Sequence, residues 1–199
     1  MKETLVDFLR HGEPVGGRRY RGDGVDDPLS EKGWQQMWDA VGEHHPWDRI
    51  VASPLSRCLA FAEALAARHG IALSADPRFM EVGFGSWEGN TAAELEVEDP
   101  DQLRRFYADP VNARPAGAEV LADFFGRVSA AVDHVLDQHA GKHVLVVAHA
   151  GVIRAAIAHV IGAPAAGMYR IQVDNAGITR IRSDGVRPPT LLFHGGLLG

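Results

Sequence analysis

Three short segments of this chain place reactive side chains directly after an apolar run. They are Arg10-His11-Gly12-Glu13, Ser53-Pro54-Leu55-Ser56-Arg57 and His149-Ala150-Gly151. A fourth, Glu81-Val82-Gly83-Phe84-Gly85-Ser86-Trp87-Glu88-Gly89, sets two carboxyls among glycines. A neutral imidazole can attack an electrophile or carry a proton. A guanidinium grips two oxygens of one anion, and a carboxyl moves protons. A histidine and an arginine side by side at a strand end therefore suit chemistry on a phosphate. Arg18, Arg19 and Arg21 add the densest basic stretch of the chain, which also reads as a solvated loop. A strand-end histidine, likewise, has a purely structural reading. Ten histidines raise the alternative of a metal site, but no His-Glu-x-x-His motif occurs, and one cysteine allows no Cys-pair spacing.

The elements that must hold these groups follow from periodicity. Strand-like runs occupy residues 4–9, 49–53, 143–148, 169–173, 178–182 and 191–193. Helical spacing covers 31–44, with Ser30 as N-cap, and then 55–69 and 118–139. A further helix starts after His149 and stops near Ile161, before Gly162 and Pro164. Strands alternating with helices predict an α/β fold, a three-layer α/β/α sandwich with a mostly parallel central sheet. Short loops between the last strand candidates predict an antiparallel edge. Residues 76–115 break the alternation and read as an excursion that covers the substrate site. The 199 residues suffice for a single domain spanning 1–199.

A formal net charge of −6 argues against a nucleic-acid partner. The longest apolar stretch, near 144–163, is interrupted by His149, Arg154 and His159, which argues against a membrane span. Cys58 stands alone and no secretory pattern opens the sequence, so a cytoplasmic location is expected.

Five motifs occur in an order that resembles the histidine phosphatase superfamily, which includes cofactor-dependent phosphoglycerate mutases. They are Arg-His-Gly-Glu at 10–13, Pro-Leu-Ser at 28–30 with Gly33, Ser-Pro-Leu-x-Arg at 53–57, Glu81 with Gly-x-Trp-Glu-Gly at 85–89, and His-Ala-Gly at 149–151. The resemblance spans residue 5 to about 154. It implies that His11 attacks phosphorus, that Arg10 and Arg57 hold phosphate oxygens, and that His149 and the Ala150 amide support the transferring group. It implies no metal and no other cofactor, the cationic constellation standing in for magnesium. Glu81 takes the acid/base position, with Glu88 the competing carboxyl and Glu13 outside direct contact.

Two positions depart from the family pattern. Gly17 stands where many relatives have a phosphate-contacting asparagine, and Arg21 is the preferred substitute contact. Phe61 stands where many have threonine, on an apolar helix face that implies packing. The layout resembles the compact phosphomonoesterases, and residues 20–33 look like α-ribazole-5′-phosphate phosphatases of cobalamin synthesis. The expected partner is a small-molecule phosphomonoester. Mutase-type transfer and a non-catalytic phospholigand-binding protein are the alternatives. Trp34, Phe84, Trp87, Phe106 and Tyr107 either stack on a substrate or pack a core.

Overall fold

The structure is a computed structural model and describes residues 2–196. Its centre is a 6-stranded sheet in the order β3-β2-β4-β1-β5-β6. The strands are β1 (Thr4–Arg10), β2 (Arg49–Ala52), β3 (Ala72–Ala75), β4 (His143–Ala148), β5 (Ile178–Ser183) and β6 (Thr190–Gly196). The first four run parallel, while β5 and β6 are antiparallel. The alternation of the strands explains two cores. Val6, Phe8, Val144 and Val146 face one way, beneath α5 (Leu121–Gln138) and α6 (Ala150–Val160). Leu9, Ile50, Leu145 and Val147 face the other way, beneath α1 (Glu31–Val41) and α2 (Ser56–His69). Both faces of the sheet are thus covered, as the run of β-branched residues requires.

This layering fixes where a ligand can sit. Strands β1 and β4 are neighbours, yet the helices that follow them pack on opposite faces. A crevice opens at their carboxyl ends wherever that happens in an open α/β sheet. Pairing of Arg10 with Ala148 brings the residues after both strands level, and the His11 amide donates to the Ala148 carbonyl at 3.0 Å.

Several element boundaries differ from the sequence reading. Residues 169–173 form no strand; a 3-10 turn over Ala165–Arg170 leads into an extended loop. The apolar residues of that turn are held by packing, with Met168 buried against α6, so their alternation has another cause. Strand β3 was not anticipated, because an edge strand with no buried residue lacks an apolar signature. Helix α1 ends at Val41 because Gly42 turns at φ +51°. Helix α5 begins at Leu121, since Ala118 and Glu119 hydrogen-bond to Pro115 and Gly83. The 76–115 segment holds two short helices, α3 (Ala92–Glu98), started by a Thr91/Glu94 capping box, and α4 (Gln102–Ala108).

One charged residue lies inside the apolar β1 run. Asp7 is fully buried and accepts hydrogen bonds from Trp47 Nε1 (2.9 Å) and His143 Nε2 (2.8 Å). Arg180 adds two, from Nε (2.6 Å) and Nη2 (2.9 Å). Burial would raise the carboxyl pKa, but the donors, Arg180 foremost, more than offset it and hold it below its ordinary 3.8. The carboxylate therefore stabilises the fold at neutral pH, and that stability is lost as the pH falls below 3.8 toward the native value. We predict that Asp7→Asn lowers the unfolding free energy by about 3–5 kcal/mol at neutral pH. Denaturant titrations should show the gap to wild type closing in acid, and a gap that widens there would contradict this account.

Candidate active site

His11 and His149 meet at the crevice, with ring centroids 5.2 Å apart and an edge-to-face angle of 64°. His11 is held by the turn that ends β1. That turn lies so close to the start of α1 that a Cβ on Gly12 would stand 2.1 Å from the Gly33 carbonyl oxygen, and one on Gly33 2.1 Å from that of Glu13. Only two glycines permit this approach, and Ser30 caps the helix at the same point by accepting from the Gly33 amide. His11 Nδ1 is 2.7 Å from the Gly12 carbonyl oxygen, so Nδ1 carries the proton and Nε2 keeps its lone pair. His149 precedes the first turn of α6 and sits 2.7 Å, through Nε2, from Ser53 Oγ.

Two arginines enclose the pair. Arg10 Nη1 donates to the Val173 carbonyl at 2.7 Å. Arg57 donates to the carbonyls of Gly22 (Nη2, 2.8 Å) and Val25 (Nη1, 3.0 Å), with Asp26 at 3.6 Å. The Nε atoms of both arginines are buried and make no hydrogen bond within the described chain. Arg49 and Arg114 also have buried Nε atoms without a partner, but Arg10 and Arg57 are the pair whose charges act on His11, so their free donors can serve as an oxyanion cradle. Burial lowers the pKa of Arg10 to about 10, which leaves it charged at neutral pH. Burial also pushes His11 well below 6.5, with Arg10 and Arg57 adding repulsion, and His149 follows for the same reasons with Arg57 foremost among the charges. The site is thus two fixed cations around two neutral imidazoles.

Glu81 reaches this site from the other wall. Its Oε1 accepts from the Val82 amide (3.0 Å) and its Oε2 from the Gly151 amide (3.2 Å) at the start of α6. A Cβ on Gly151 would stand 2.2 Å from Oε1, so the glycine makes room for the carboxyl. A neutral imidazole, two guanidinium groups and a carboxyl are then in one place, an arrangement that can serve phosphoryl chemistry.

Comparison with known proteins agrees with this geometry. The model of the histidine phosphatase superfamily (branch 1) matches residues 6–194. The chain belongs to that superfamily. A bifunctional protein of Mycobacterium tuberculosis is 34% identical over 203 residues, covering 98% of this chain and 55% of that protein. The chain thus spans about half the length of this curated relative. A mycobacterial glucosyl-3-phosphoglycerate phosphatase superimposes with a TM-score of 0.84 at 28% identity, over 96% of this chain and 98% of its own. The α-ribazole phosphatase of Shigella flexneri gives 0.80 at 26% identity, over 96% of each chain.

Within this superfamily fold the remaining candidates take distinct places. Ala150 is the first residue of α6, beside His149. Arg21 is buried near His11 but spends Nε on Asp27 (2.8 Å) and Nη2 on the carbonyls of Val15 (2.7 Å) and Gly17 (2.9 Å). It thereby fastens the loop around Gly17. Glu88 binds the amides of Gly24 (3.0 Å) and Phe84 (2.8 Å), which ties the loop over Arg57 to the loop beyond Glu81. Glu13 pairs with Lys32 at 2.9 Å. Phe61 packs between Trp34 and Trp38. Phe84, Trp87 and Phe106 belong to one packed cluster, while Tyr107 touches Phe106 and Tyr169 at its edge and is 54% exposed. Among the described residues no group of three His, Cys, Asp or Glu could hold a metal ion, and no helix is long and apolar enough to cross a membrane.

The sequence reading missed the supports of His149. Ser53 was quoted only as part of its motif, and Cys58 lies with Sγ 3.6 Å from His149 Nε2 while donating to the Ala148 carbonyl. Burial pushes the Cys58 thiol pKa up, so it remains a thiol. Arg154 Nε donates to Ile171 O at 2.8 Å, two residues from the carbonyl that holds Arg10. Its position one turn beyond Ala150 was the only available signal.

Because both imidazoles are neutral in the fold, they stabilise it above the unfolded histidine value of 6.5 and cost stability as the pH falls through it. Histidine-selective NMR should show neither His11 nor His149 taking up a proton as the pH is lowered to 6.5. A titration midpoint at or above that value for either ring would refute the assignment.

Proposed function

We propose that this chain is a phosphomonoesterase that works without a metal, through a phosphohistidine at His11. The observation that carries this is the pair of buried, unpaired Nε donors of Arg10 and Arg57 beside a histidine whose Nδ1 is committed to Gly12. His11 Nε2 attacks phosphorus while the P–O ester bond breaks. Arg10, Arg57, His149 and the Ala150 amide hold the charge on the transferring oxygens. Glu81 acts as the general acid that passes a proton to the leaving oxygen. It then takes a proton from water, whose oxygen bonds to phosphorus as the P–N bond breaks, releasing phosphate and restoring the neutral His11 ring. Arg21 supports the cradle through the Gly17 loop.

The substrate we propose is a small-molecule phosphomonoester in the cytoplasm, with neither nucleic acid nor membrane as partner. The likeness to α-ribazole phosphatases and the look of residues 20–33 support α-ribazole 5′-phosphate as the first compound to test. The likeness to a glucosyl-3-phosphoglycerate phosphatase makes that ester the second.

Purified protein should hydrolyse p-nitrophenyl phosphate in EDTA, and His11→Ala should abolish that turnover. Equal rates for wild type and His11→Ala would sink the mechanism. Glu81→Gln should lower kcat/KM on alkyl phosphates by about 10²–10⁴, and Gly151→Ala should lose activity in the same direction by displacing the carboxyl. A mutase would instead isomerise 3-phosphoglycerate with a bisphosphoglycerate primer and release no phosphate. A protein that merely binds phospholigands would show neither reaction.

A further inference from the structure

Residues 80–83 carry Glu81 but belong to no helix or strand, so their backbone groups have no ladder to join. One side chain on α5 takes that part. Arg127 Nη1 donates to the carbonyls of Arg78 (2.8 Å) and Met80 (2.9 Å), and Nη2 donates to the carbonyl of Glu81 itself (3.1 Å). Its Nε and Nη2 also pair with the two carboxylate oxygens of Glu119, at 2.7 and 2.9 Å. Glu119 in turn holds Gly83 from both sides. Its Oε2 accepts from the Gly83 amide at 3.3 Å, and its own amide donates to the Gly83 carbonyl at 3.1 Å. The planar guanidinium also lies over the Phe124 ring, 4.7 Å from its centroid, which fixes its orientation.

We infer that Arg127, braced by Glu119, is a positioning residue for Glu81. The pair fixes the backbone from Arg78 to Gly83, and this sets the point from which the Glu81 side chain departs toward the Gly151 amide. Arg127 makes no hydrogen bond to the groups that hold phosphate, and its charge is only the last of those that reach His149, so its main effect falls on the proton step. The inference rests on the phosphatase reading above. A lysine at 127 would keep the charge but lose the fork that reaches three carbonyls at once.

Leaving-group dependence separates positioning from general stability. The ratio kcat/KM reports events up to phosphoryl transfer to His11, where a proton is needed by an alkoxide and hardly by p-nitrophenolate. Arg127→Met, Arg127→Lys and Glu119→Gln should each lower kcat/KM for glycerol phosphate by about tenfold or more, while that for p-nitrophenyl phosphate changes by less than about threefold. Adding Arg127→Met to Glu81→Gln should cause little further loss on glycerol phosphate, because both remove the same step. Equal losses on the two esters, or additive losses in the double variant, would overturn the inference. If Arg127→Met does not fold, the Lys and Gln variants are read in the same way. Absence of any His11-dependent turnover in wild type would instead overturn the phosphatase reading, and this inference with it.

Discussion

Positive charge in a buried place governs this structure. Arg57 is 1% exposed and Arg10 is partly buried, and both must stay charged beside two imidazoles. Isolated, such charges would be costly. The chain offsets that cost with backbone carbonyls: Val173 for Arg10, and Gly22 and Val25 for Arg57. Carbonyls attract a cation without neutralising it, so the field reaching His11 and His149 remains positive and both rings stay neutral. A carboxylate in the same positions would cancel the field that a phosphate needs. The carboxyls present stand at the margin, with Glu81 held by amides of its own.

The sheet serves this constraint. Parallel pairing of β1 with β4 sets His11 and His149 at one level, and opposite placement of α1 and α6 opens the crevice in which they meet. Gly12 and Gly33 allow the β1 turn to settle onto α1, so His11 is fixed by backbone contact. The carbonyl that orients its ring comes from the next residue. Few degrees of freedom remain for the His11 ring.

Much of this was legible in the sequence, for identifiable reasons. Strand β4 announces itself as an unbroken apolar run and β1 as one broken only at Asp7, and the reactive residues sit where those runs stop. Glu81 was legible through its motif. What stayed hidden depends on contacts between distant segments. Arg127 lies 46 residues from Glu81 and looks like any polar residue on an amphipathic helix. Strand β3 lies at an exposed edge, and the 169–173 run mimics a strand although its apolar residues pack as a turn. Asp7 interrupts an apolar run with a charge whose partners come from three other places. Arg21 was legible as a cation near the site, but its engagement with Asp27 and two carbonyls was not.

The tether made by Glu88 carries a consequence for how this scaffold can diversify. One carboxylate joins the loop at Gly24, which leads to the carbonyls around Arg57, to the amide of Phe84, three residues past Glu81. The loop beside Arg57 and the loop beside Glu81 are thereby stitched into a single rim, and neither can be lengthened without pulling on the other. Residues 91–115, with α3 and α4, lie outside that stitch. Changes in length within residues 91–115 therefore do not cross that stitch, and the spacing between the Gly24 loop and Phe84 is kept.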